Sequence, residues 1–182
     1  MDSICNQAII TICRIDIRNP PAEIVFGKWN DRALNQLQAK QLALDIKKND
    51  FRPFTSKNLL PLIVPRAALD PECIHPQLDA SNAPFINLTP DAIRTGVQLT
   101  FAGGRHRHEA SRIIQAEVKE TIEALQDNIE ELERKIGVAE EKKKSTAKME
   151  KTLEAYNKEL EGQEEWQKKA GIWGVIIYDE GE

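Results

Sequence analysis

Apolar and polar side chains along this chain follow two periods, and each stretch predicts an element. Ile9 to Ile17 and Leu59 to Val64 are strand-like apolar runs, separated by an Arg18-Asn19-Pro20-Pro21 turn and a helical pattern. That pattern, Asp31 to Lys48, carries Leu34, Leu37, Leu42, Leu44 and Ile46, a broad apolar face behind an Asn30 or Asp31 cap, to be packed on a sheet. Val97, Leu99 and Phe101 alternate with Gln98 and Thr100, the period of a half-buried strand. Ile114, Val118, Ile122, Leu125, Ile129, Leu132 and Ile136 then recur every three or four positions, one stripe on one long helix. Gly137 and the polar Lys142-Lys143-Lys144-Ser145-Thr146 tract interrupt it, and it resumes as Met149, Leu153, Tyr156 and Leu160. Two arms with a break predict an antiparallel helical hairpin, with Ser145 or Thr146 capping the return arm. One uninterrupted helix pairing between chains is the alternative. Gly171 to Tyr178 reads as a buried, β-branched strand. The hairpin, residues 117–169, is therefore expected as an insertion in a domain built from residues 1–116 and 170–182. Residues 65 to 95, with Pro65, Pro71, Pro76, Pro84 and Pro90, predict a long loop, read as a flexible surface insertion in preference to a lid.

The candidate chemistry lies where the alternating strand meets the long stripe, at Gly103-Gly104-Arg105-His106-Arg107-His108-Glu109-Ala110. Two glycines permit positive φ and close ligand approach. A helix beginning just after them turns its free N–H groups and positive dipole end toward that approach. Gly103 and Gly104 are expected to shape a phosphate cradle, and Arg105, His106 and Arg107 to neutralise an oligophosphate in it. His106 and His108 fall roughly 200° apart around a helix, so no metal site is expected from them. Trp29, Trp166 and Trp173 are expected as packing residues.

This octapeptide resembles the Gly-Glu-Arg-Arg-x-Arg-Ala-Ala box of the chromosome-partitioning protein ParB and, equally, the Gly-Gly-Cys-His-Arg-Tyr-x-Ala box of sulfiredoxin. The order of strands, turn and helix upstream is similar to a ParB-like domain from about residue 8 to 115. The resemblance implies an α+β fold, a small mixed sheet with packed helices, here carrying the helical hairpin. It also implies a nucleotide- or phosphate-binding module for CTP- or ATP-like ligands, a nucleoside triphosphate with Mg²⁺, and with it hydrolysis or phosphotransfer. Arg105 stands where sulfiredoxin has its attacking cysteine, so sulfinic-acid repair is not implied. Gly104 stands where ParB has glutamate. The further nucleotide-contacting segment and helix-turn-helix of ParB find no room before Glu182. Glu109 lies one turn on from Arg105, and the sequence assigns no general base. A non-catalytic scaffold that uses the hairpin to hold a protein partner is the competing function.

Composition narrows these readings. The chain has 182 residues, 41% of them hydrophobic, which suits one modest core plus an extension. Residues 117–169 hold 11 Lys+Arg and 15 Asp+Glu, the whole of the net charge of −4, so the globular part is neutral. Without a broad basic face, nucleic acid is not an expected partner. No apolar run approaches the roughly 20 residues of a membrane span. Met1-Asp2-Ser3 lacks a secretory start, so a reducing compartment, cytoplasm or nucleus, is expected. Cys5, Cys13 and Cys73 have no metal-site spacing and form no disulfide framework.

Overall fold

The computed structural model describes residues 9–27, 33–49, 52–75 and 79–180. These form two compact units, one drawn from Met1–Ser111 with Gly171–Glu182, the other from Arg112–Ala170.

The first unit is mixed α+β. Its strands are β1 (Ile9–Asp16), β2 (Ile24–Phe26), β3 (Leu60–Ile63), β4 (Leu99–Phe101) and β5 (Ile172–Tyr178), in the spatial order β1-β5-β3-β4-β2. β5 pairs antiparallel with β1 and parallel with β3; β4 pairs antiparallel with β3 and parallel with β2. β5, the last strand in sequence, is second in the sheet, which is why its Trp173, Val175 and Ile177 are buried with Cys13, Ile15, Leu62 and Phe101 in one cluster. β2 was not anticipated, since three apolar residues carry no readable period.

The helix expected over 31–48 is α1, Gln36–Lys48, and Asn35 caps it, its Oδ1 accepting the N–H of Leu37 at 3.0 Å and of Gln38 at 3.2 Å. Asn30 and Asp31 lie outside the described residues, as does Trp29. The expected apolar face is also corrected. Ala39 and Ala43 are buried and Ile46 packs on the core cluster, whereas Leu37 is 78% and Leu44 46% exposed. At 100° per residue, 39, 43 and 46 share one side of the helix, and 37 and 44 share the other. Small alanines let α1 approach the sheet closely.

Residues 65–95 are not a flexible insertion, nor a lid, where they are described. Two short 3₁₀ turns, Arg66–Ala68 and Pro71–Cys73, and the helix α2 (Pro90–Thr95) order them. Ala68, Leu69, Cys73, Ile86, Leu88 and Ala92 belong to the core cluster. Arg14 of β1 donates its N–H to the Pro84 carbonyl and accepts from Ile86 N–H, both at 2.8 Å, so this segment covers the outer edge of the sheet. Pro76 lies outside the described residues.

Two helices supply the second unit, α3 (Arg105–Glu141), which begins in the first unit, and α4 (Ala147–Ala170). α3 runs through Gly137, which is exposed there and costs only about 1 kcal/mol relative to alanine. The Lys144 N–H closes the end of α3 on the Ala139 carbonyl at 2.9 Å, and Thr146 begins α4 by accepting the Glu150 N–H at 3.0 Å. Gln115 Nε2 donates to the Gln167 carbonyl at 3.3 Å, so the arms are antiparallel within one chain. Ile122, Leu125 and Ile129 are buried along the stripe.

Candidate functional site

β4 leads into Ala102, whose N–H donates to the Pro61 carbonyl at 3.0 Å, and Gly103 and Gly104 then turn the chain into α3. Gly104 has φ +85°, and a Cβ there would lie 2.5 Å from Leu60 Cδ2. Both the dihedral and the packing exclude a side chain. Its carbonyl accepts the His108 N–H at 2.9 Å, which makes it the residue that starts the helix. The first turn of α3 holds no acidic residue.

Helical spacing sends the side chains of this turn three ways. Arg105 and His108, three apart, flank the same ring: the Arg105 guanidinium lies 5.1 Å over the Phe26 centroid, and His108 meets Phe26 edge-on at 5.5 Å. His106 and Glu109 turn toward the start of α1, where His106 Nε2 accepts the Asn35 N–H at 3.0 Å and Glu109 Oε1 accepts from Gln36 Nε2 at 3.4 Å. That ring nitrogen is taken up by the Asn35 N–H and offers nothing to the turn. Arg107 points the third way, donating from Nη1 to the Asn58 carbonyl at 3.1 Å and from Nη2 to the Lys57 carbonyl at 3.4 Å. Gly103, Gly104 and Arg105 therefore stay together at the turn, while His106 and Arg107 serve other neighbours.

Arg107 also lines a cavity of about 200 Å³. One wall is α1 and its C-cap, with Leu42, Asp45, Ile46 and Asn49; the following loop adds Arg52 and Asn58, and β5 adds Trp173. That loop lies close because residue 174 is glycine: its N–H donates to the Pro53 carbonyl at 3.3 Å, and a Cβ would stand 2.4 Å from Leu59 Cδ2. Burial lowers the pKa of Arg107 from the ordinary arginine value, and among the described residues no carboxylate forms an ion pair with it. No pattern along the chain points to this cavity. Its residues come from four separate elements and share no spacing, and Asp45, Arg52 and Asn58 look like ordinary surface positions.

Cys13 and Cys73 are buried free thiols, and burial, then the neighbouring Cys73, pushes Cys13 up to about 12. Cys5 lies outside the described residues. The described residues contain no group of three or more His, Cys, Asp or Glu able to hold a metal ion. No described helix is long and apolar enough to cross a membrane. No family model, curated protein or solved structure matches this chain.

Proposed function

We propose that this chain binds a phosphate-bearing ligand at the Gly103–Gly104 turn, a nucleoside triphosphate with Mg²⁺ being the ligand that the ParB/sulfiredoxin resemblance implies. The glycines do not carry this reading, because packing on Leu60 already requires Gly104. The first turn of α3 carries it: Arg105 stands beside the glycines at the positive end of a 37-residue helix whose first turn holds no acidic residue. Cations there oppose the dipole by roughly 0.3–1 kcal/mol each, and a bound anion reverses the sign of that interaction. The five-stranded mixed sheet, with a helix after the box and β5 as the closing strand, supports a ParB/sulfiredoxin-like arrangement. Binding is the extent of the proposal, since Glu109 is engaged with Gln36.

A thermal-shift panel of nucleoside triphosphates and inorganic triphosphate with Mg²⁺ tests it. A ligand at about 100 times its Kd stabilises by roughly 2.7 kcal/mol, and R105A should lose most of that shift. No shift with any triphosphate would sink the reading. One observation favours the scaffold alternative: Leu132, Ile136, Met149 and Leu153 remain only half-buried in the hairpin, while Ile122, Leu125 and Ile129 are buried. A protein captured through residues 117–169, with no triphosphate shift, would establish it instead.

A further inference from the structure

We propose that the cavity between α1, the 52–58 loop, the first turn of α3 and β5 is a binding site for a small aliphatic α-amino acid. This cavity is distinct from the glycine turn: it takes Arg107 from the first turn of α3 and is lined by neither Gly103, Gly104 nor Arg105. The cavity is half open to solvent and offers about 200 Å³ between its walls, room for roughly eight non-hydrogen atoms, the size of valine or leucine.

The chemistry of the walls selects the class. Leu42, Ile46 and the buried Trp173 form an apolar face, which suits an aliphatic side chain. Arg107, half-buried and bonded only to the carbonyls of Lys57 and Asn58, supplies positive charge that no carboxylate of the described chain offsets; a ligand carboxylate would. Arg52 lines the same cavity. Across from these, on α1, Asp45 accepts at Oδ1 from Gln41 Nε2 at 3.0 Å and keeps acceptor capacity for an ammonium group. The amide nitrogens of Asn49 and Asn58 are spent on the carbonyls of Asp45 and Arg52, at 3.0 and 2.8 Å, which leaves their Oδ1 atoms as further acceptors. Carboxylate and amide acceptors, a guanidinium and an apolar face, all lining one cavity, are the three kinds of partner that an α-amino acid takes.

Calorimetric titration of the full chain with L-valine and L-leucine is the test, and saturable binding is expected. 3-Methylbutanoate, which lacks the amine, and L-tryptophan, which exceeds the cavity, should bind at least about tenfold more weakly. D45N should erase the preference for L-valine over 3-methylbutanoate. R107Q, whose amide can still donate to the Asn58 carbonyl, should weaken both by about tenfold or more, with an unchanged melting profile as the folding control. Absence of saturable binding of L-valine and L-leucine at millimolar concentration would overturn the proposal. So would equal affinity for L-valine, 3-methylbutanoate and inorganic phosphate, or a D45N variant with the wild-type preference.

Discussion

The indole Nε1 of Trp173 donates to the Ser111 hydroxyl at 2.9 Å, and both residues are sealed from solvent, at 3% and 0% exposure. One stands in the strand that completes the sheet, the other in the second turn of the helix that follows the glycine turn. The bond therefore fixes α3, and Arg107 one turn earlier on the same face, against the strand that walls the cavity.

Replacing Ser111 with Ala should leave the indole N–H buried without an acceptor and cost about 1–3 kcal/mol of unfolding free energy. Urea denaturation measures it. In a W173F background the same substitution should cost much less, because the orphaned donor is gone; equal costs in both backgrounds would show that the bond contributes nothing specific.

Gly104→Ala should destabilise more. A left-handed residue with a Cβ costs roughly 1–2 kcal/mol, and the overlap with Leu60 adds about 1–3 kcal/mol of overpacking. G103A, whose Cβ would meet Pro61 at Cγ, 3.3 Å, and Cδ, 3.8 Å, should be milder. A melting temperature for G104A at or above that of G103A would contradict this ordering.

Stability should fall in alkali partly through Cys13. Its folded pKa of about 12 exceeds the ordinary value of 9.0, so the neutral thiol is favoured in the native state. That contribution is complete below pH 9, declines as the unfolded chain ionises, and is lost by about pH 12, at about 1.4 kcal/mol per unit in between. C13V should show a shallower decline in unfolding free energy between about pH 9 and 11 than the wild type. Parallel slopes would refute the assignment.

Deleting Lys119 to Lys168 and joining the ends with a short Gly/Ser linker should leave a folded domain. The main buried cluster, among the described residues, contains none from 112–170. Well-dispersed amide resonances are the expected outcome. Collapse of the dispersion, or an insoluble product, would show that the hairpin is required for the fold. Sedimentation of the wild type as a dimer would instead revive pairing between chains.

Much of the backbone was legible in the sequence. Ile9–Asp16, Leu60–Ile63 and the strand ending at Phe101 follow from their apolar runs, and the stripe from Ile114 to Ile136 shows the long helix, because burial of one face imposes a period on the residues that form it. The glycine turn was legible too, although its reason was not: Gly104 is needed against Leu60, a contact between residues 44 positions apart. Leu37 and Leu44 are apolar in type but lie across α1 from Ala39, Ala43 and Ile46, so they face solvent.

Sequence by itself determined the class of the fold, the apolar stripe with its break and the place where strand becomes helix, all consequences of local period and of turn chemistry, whereas the pairing of the two arms within one chain was left to the structure. Tertiary structure alone decided where each basic side chain of the first turn goes. Three successive helical residues diverge by about 100° each, so Arg105 met Phe26, His106 met Asn35 and Arg107 met the 57–58 carbonyls. It alone decided as well that a proline-rich segment would seal the edge of β1, and that four distant elements would enclose a cavity. Such contacts depend on which surfaces the packed sheet brings together, and no spacing along the chain encodes them.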